Sequence, residues 1–259
     1  MMENTSIKPV SDAVSIYNER GNGPVLIVCE HASNHIPEKY DNLGLSDTEL
    51  ATHIAWDLGA ADVAVNLARK LDAACVLGGV SRLLYDCNRP PEAHDAMTER
   101  SEVYTIPGNK CLSAENRQER VEAIYEPFKR YVSRAIKRKQ ALITIHSFTP
   151  VYNGRQRDVE LGILHDSDTT LADCILESAH NYTGLTVCRN QPYGPQHGVT
   201  HTLKIHGVAN GIPHVMIEIR NDLIKTSDAC KEMSKTLASL ISDALDTVLG
   251  SNTVLEKHA

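Results

Sequence analysis

A chain of 259 residues that is 42% apolar can bury a sizeable core without disulfide or metal staples. Its formal net charge of −7, with no basic stripe, argues against nucleic acid and anionic membranes as partners. Seven cysteines, an odd number with no Cys-x-x-Cys pair, fit reduced thiols in a cytoplasmic protein.

In chain order, residues 1–20 carry charges and no apolar core, so they read as an N-terminal extension and not as a secretory leader. The run Val25-Leu26-Ile27-Val28-Cys29-Glu30 predicts a buried strand over 24–30 that delivers His31 at its carboxyl end. Ser46-Asp47-Thr48-Glu49 is a capping box opening a helical pattern over 46–71, and Gly59 divides it into two helices that meet near Asp57. A second strand is expected over 74–79. From Asn88 to Cys111 the chain is polar and proline-punctuated, and an irregular stretch of that length usually covers a functional site or moves. Ser113 caps a helix over 113–138 whose apolar face is Val121, Ile124, Phe128, Val132 and Ile136; the cationic stretch Lys129 to Lys139 is its solvated side. A strand over 141–146 ends on His146, and strands over 159–165, 185–189 and 213–219 follow, with helices over 168–180, 199–209 and 227–249. No segment approaches the ~18 apolar residues that span a bilayer. Alternating strands and helices predict one α/β domain with a mixed, mainly parallel sheet flanked by helices on both faces.

In such sheets ligands bind beyond the carboxyl ends of the strands. Two imidazoles delivered there, beside a third strand carrying Glu218, point to a metal site. His31 with His35, and His197 with His201, are spaced four apart but lack the His-Glu-x-x-His pattern of helix-borne zinc sites. His197, His201 and His206 either line the pocket or lie on an exposed loop. Pro90 and Pro91 stiffen the chain after Asn88-Arg89, so a fixed guanidinium beside an amide, with Arg82 nearby, suits a small carboxylate; the alternative is a loop ion pair to Asp86. Arg220 is two residues beyond Glu218 on the same side of its strand, placed to orient it, to bind a second carboxylate or to sit on the surface. Cys29, inside a buried strand, belongs to the core.

Five motifs in order carry a family resemblance: Cys-Glu-His-Ala-Ser-Asn-His-Ile-Pro (29–37), Ala-Trp-Asp-Leu-Gly-Ala (55–60), Ser-Arg-Leu-Leu-Tyr-Asp-Cys-Asn-Arg-Pro (81–90), Ile-His-Ser-Phe (145–148) and Met-Ile-Glu-Ile-Arg-Asn-Asp (216–222). The chain resembles the N-formylglutamate amidohydrolase family from about residue 24 to 245. The resemblance implies a fold similar to the zinc carboxypeptidases and phosphorylase-hydrolases, and metal-dependent removal of an N-formyl or N-acyl group from an amino acid such as N-formylglutamate. It implies Zn2+, or another divalent ion, on His31 and His146. Asn34 stands where related sites place a glutamate ligand, which leaves Asp57 as the candidate third ligand and Glu30 as the second choice. It further implies that Asn88 and Arg89 grip the substrate carboxylate and that Glu218 is the general base. The chain lacks the Pro-His-Ser-Gly form of formylglutamate hydrolases, so a deacylase of another N-acyl amino acid or small peptide is an alternative. A non-catalytic binding protein on the same fold is a further alternative, against which Glu218 argues.

Overall fold

Five consecutive buried side chains in Val25–Cys29 leave that strand no solvent face, which places it inside the sheet rather than at its edge. The computed structural model describes residues 6–256. The first half contains β1 (Lys8–Ser11), β2 (Val14–Tyr17), β3 (Val25–Cys29), α1 (Asp47–Leu50), α2 (Ala60–Lys70), β4 (Ala74–Gly78), β5 (Arg100–Ser101) and β6 (Tyr104–Thr105). The second half contains α3 (Ala114–Arg120), α4 (Glu126–Ala135), β7 (Ala141–Phe148), β8 (Val151–Tyr152), β9 (Arg155–Gln156), β10 (Leu161–Leu164), α5 (Thr170–Ser178), β11 (Val187–Arg189), β12 (His214–Arg220) and α6 (Ser227–Glu256).

Eight strands form one mixed sheet in the order β1-β2-β4-β3-β7-β12-β10-β11, while β5-β6 and β8-β9 are separate two-stranded ribbons. The four central strands, β4, β3, β7 and β12, run parallel. β2 and β10 join antiparallel on either side of them. All six predicted strands are present. The N-terminal extension also contributes structure, because β1 and β2 form an antiparallel hairpin on the sheet edge. Val14-Ser15-Ile16-Tyr17 buries its apolar positions against β4.

The two faces of the sheet are packed differently. One face receives α2, α5 and α6: Val63, Ala64 and Leu67 of α2 share a buried apolar cluster with Ile27, Ile143 and Ile217 of the sheet. The other face packs Leu26, Val28, Leu142 and Met216 against the irregular chain of residues 36–57 and 80–106 and against the helical segment 121–136. The predicted face of that segment, Val121, Ile124, Phe128, Val132 and Ile136, is buried throughout. The segment is not one continuous α-helix. Pro127 cannot donate to the carbonyl four residues back, and the turn at Val121–Tyr125 ahead of it widens to π geometry. The predicted 46–71 helix is likewise divided: α1 keeps its Ser46–Glu49 capping box, turns follow, and Gly59 at φ 78 starts α2. The 199–209 segment reduces to a single π turn at Leu203–Gly207 with short flanks.

The sheet register positions the site. Glu218 pairs with His146 across β12 and β7, and Val28 pairs with Thr144 across β3 and β7, so Glu30 continues the same transverse row. β7 runs two residues past His146, because Ser147 and Phe148 still pair with Ile219 and Arg220. His146 is therefore held within the ladder and is not the terminal residue expected from the sequence. Gly78, at the end of β4, lies under Glu30: a Cβ there would stand 1.9 Å from the Glu30 carbonyl oxygen.

Candidate metal and catalytic site

Past Cys29 the chain leaves the sheet, so Glu30 and His31 enter the loop-covered face with their backbone no longer in a ladder. The Asp57 N–H donates to the His31 carbonyl at 3.0 Å, which docks the turn between α1 and α2 on this strand end. The Asp57 side chain then reaches both imidazoles. One of its oxygens, Oδ2, is 3.3 Å from His31 Nδ1 and 2.9 Å from His146 Nδ1, and it accepts from the Ser147 N–H at 3.3 Å. The rings of His31 and His146 meet edge to face with centroids 4.9 Å apart. All three residues are buried.

Donor atoms of His31, Asp57 and His146 lie within 4.8 Å of one another, and this is the one such group of three or more among the described residues. The outer nitrogens of both rings face further carboxylates. His31 Nε2 is 2.7 Å from Asp86 Oδ1, and His146 Nε2 is 3.1 Å from Glu30 Oε2, at ion-pair distance but out of line for a hydrogen bond. Metal-bound histidines commonly place their second nitrogen against a carboxylate in this way, which fixes tautomer and ring orientation. Arg82 closes the cluster, donating to Asp57 Oδ1 at 3.3 Å and to Asp86 Oδ2 at 2.8 Å.

The electrostatics follow from burying four carboxylates beside few cations. Burial works to raise the Asp57 pKa, but His31 and His146 outweigh it and hold the carboxyl well below the usual range. Burial would likewise raise Glu30, and the charge of His146 overcomes it. Both histidines move up despite burial, His31 because Asp86 and Asp57 face it and His146 because Glu30 and Asp57 do. Positive charge between these carboxylates is thus supplied by imidazole protons, and a divalent ion can take over that task. Two imidazoles and a carboxylate at these spacings suit tetrahedral zinc with one position left open. The donor set fits a metal.

Glu218 behaves differently. It is buried, its Oε2 has no hydrogen-bond partner, and burial pushes its pKa up to about 7, with Asp57 adding to the rise and His146 and Arg82 opposing it. A carboxyl poised near neutrality on a cavity wall has the properties of a general acid–base group. Glu218, His31, Asp57, His146 and Arg82 all line one cavity of about 580 Å³.

The structure distributes the remaining sequence candidates unevenly. Asn88 spends its amide on the chain, donating to the Val199 carbonyl at 2.6 Å and accepting from the Thr202 N–H at 3.0 Å. Arg89 lines the cavity, yet its guanidinium is held by Asp95 at 2.7 Å and by the carbonyls of Asn88 and Gly198. The pair staples residues 86–95 to residues 198–202. Arg220 turns to Asp222, Glu160 and the Arg157 carbonyl and does not line the cavity. Asn34 donates to the Leu50 carbonyl, outside the cluster. His197 lines the cavity and accepts from the Gly194 N–H, whereas His201 bonds Tyr125 behind it. Asp86 was legible only as a possible loop partner for Arg89; its true partners are His31 and Arg82. A charge inside the apolar run Leu83-Leu84-Tyr85-Asp86-Cys87 is the signal that could have identified it. Arg157 and Tyr193 also line the cavity. The Asn153-Gly154 turn between β8 and β9 marks a hairpin just ahead of Arg157, but no local signal marked Tyr193.

No curated protein matches the chain. Among solved structures, a gene product of Agrobacterium tumefaciens is 50% identical, with a TM-score of 0.89 over 91% of this chain and 96% of that chain. An N-formylglutamate amidohydrolase from Ralstonia eutropha shares the fold, with 16% identity and a TM-score of 0.66 over 93% of this chain and 99% of that one. The family model described as N-formylglutamate amidohydrolase matches residues 23–225. The chain belongs to the N-formylglutamate amidohydrolase family.

Proposed function

We propose that the protein is a metal-dependent amidohydrolase that removes an N-formyl or another small N-acyl group from an amino acid, with His31, Asp57 and His146 holding the metal and Glu218 as the base. The observation that carries this reading is the convergence of three buried donor groups, within 4.8 Å, on the cavity that Glu218 lines. A bound divalent ion, for which zinc suits the donors, would polarise the scissile carbonyl and acidify water.

The chain's own residues have separable tasks. Asp86 and Glu30 hold the imidazoles from behind, and Arg82 balances Asp57 and Asp86 so that the carboxylates can remain charged while buried. Glu218 accepts a proton from the attacking water and returns it to the departing amine, a transfer that requires a carboxyl titrating near the working pH. The ladder of β7 and β12 keeps His146 and Glu218 in register, so base and ligand cannot drift independently. Glu30, His31, Asp57, Asp86, His146 and Glu218 are buried, which strengthens the charge interactions among them.

The test is hydrolysis of a panel of N-formyl and N-acetyl amino acids with and without chelator, alongside metal content. Chelator-sensitive deacylation is expected, with His31→Ala and His146→Ala losing stoichiometric metal. Full activity after chelation, or metal retained by both variants, overturns the assignment.

A further inference from the structure

The cavity is lined by four arginines, and three of them have their charge or position accounted for. Arg82 is paired with Asp57 and Asp86, and Arg89 with Asp95. Arg100 lies on exposed β5 and donates to the Glu102 carbonyl, while the Glu102 carboxylate goes to His53. Arg157 has no carboxylate partner among the described residues. It gives one N–H to the Thr149 carbonyl at 3.3 Å and another to the Tyr193 hydroxyl at 2.9 Å. A guanidinium carries five donors, so most of its hydrogen-bonding capacity is unspent.

Its position is fixed by aromatic rings. The guanidinium carbon lies 5.5 Å from the Phe148 centroid, 4.6 Å from that of Tyr152 and 4.9 Å from that of Tyr193. The backbone is pinned as well: the Arg157 N–H bonds the Pro150 carbonyl, and the Arg157 carbonyl accepts from Arg220. Arg220 thus serves the cavity indirectly. Phe148 is two residues past His146 on the same face of β7, so the cage is built from the strand that carries the ligand. Tyr193 lines the same cavity, where burial raises its hydroxyl pKa and it feels both Glu218 and Arg157. A cation ordered before binding spends little entropy when an anion arrives.

We propose that Arg157, caged by Phe148, Tyr152 and Tyr193, receives the free carboxylate of the substrate. This role was expected for Asn88-Arg89, whose polar groups the chain itself uses. The proposal rests on the deacylase reading in that it names what fixes the non-reacting end of an N-acyl amino acid.

Two measurements separate the proposal from the reading beneath it. In steady state, the ratio of kcat/KM for an N-formyl amino acid to that for its carboxamide is compared in wild type, R157Q and R157K. The ratio is expected to fall by about 10- to 100-fold in R157Q, mostly through KM, and to recover partly in R157K. An unchanged ratio overturns the proposal. In calorimetry, N-acetyl-L-glutamate and L-glutamate are titrated into wild type and R157Q under chelation, with thermal unfolding confirming that both are folded. Binding to wild type that R157Q loses supports the carboxylate site even if no panel member is hydrolysed, an outcome that would count against the deacylase reading alone. Equal binding to both proteins, or none to wild type, overturns it.

Discussion

Replacing Glu218 with glutamine should make the metal-free protein more stable and the loaded enzyme nearly inactive. The Glu218 carboxyl is buried and rises from 4.5 to about 7 on folding. A raised carboxyl pKa means that the folded state holds its proton more tightly than the unfolded chain does. Below pH 4.5 both states are protonated and there is no penalty; as pH climbs through about 7 the native state must ionise the buried group and stability is lost. At ~1.4 kcal/mol per pH unit, the rise corresponds to about 3 kcal/mol at pH 8. Glutamine keeps the shape without the charge, so under chelation at pH 8 the variant should melt about 5–10 °C higher, with the difference vanishing near pH 4.5. In the metal-loaded enzyme the same substitution should cost about 10²- to 10⁴-fold in kcat. Scanning calorimetry with chelator at the two pH values, followed by single-substrate kinetics, measures both. A variant that melts no higher than wild type at pH 8, or keeps kcat within tenfold, refutes the reasoning.

The carboxylates behind the imidazoles predict a graded effect. Asp86→Asn, which keeps a hydrogen-bond acceptor beside His31 but removes the charge, should weaken metal binding by about 10- to 100-fold without abolishing it, as competition with a fluorescent chelator would show. The pH profile gives a second handle. Because Glu218 must be ionised to act, kcat/KM should fall as pH drops through its pKa, and the field of a bound cation should set that limb below 7. Arg82 helps to lower this pKa, so Arg82→Gln should move the acid limb upward; a limb that stays put or moves down contradicts the assignment.

What was legible in the sequence was whatever periodicity and chain order can carry. The apolar runs ending on Glu30 and at His146 read as strands because complete burial removes alternation, and the Val121 to Ile136 stripe read as one buried face despite the π turn inside it. His31, His146 and Glu218 stood out as candidates because each sits at or near the end of such a run. Asp57 came from a motif, and its contact with both imidazoles depends on a turn docking across the sheet. The carboxylate grip expected of Asn88-Arg89 was harder to read for a related reason. Asn88-Arg89 has the residue types of a clamp, but whether an amide is free depends on the distant Val199 and Thr202 backbone. Arg157 did not stand out in the sequence, since its availability depends on having no carboxylate partner among the described residues. Partnership of that kind is a property of tertiary packing, invisible to local spacing.

The three donor residues are far apart in the chain: Asp57 is 26 residues from His31 and 89 from His146. A cation seated among them closes two loops at once, and the longer one spans α2, β4, the irregular cover and α4. If the site takes up a metal as proposed, its capture would act as a checkpoint on assembly. A chain emerging from the ribosome offers one imidazole when β3 appears and lacks the second until β7 has docked beside it. Partly folded species would then bind the ion weakly, and full affinity would mark molecules whose central strands are all in place.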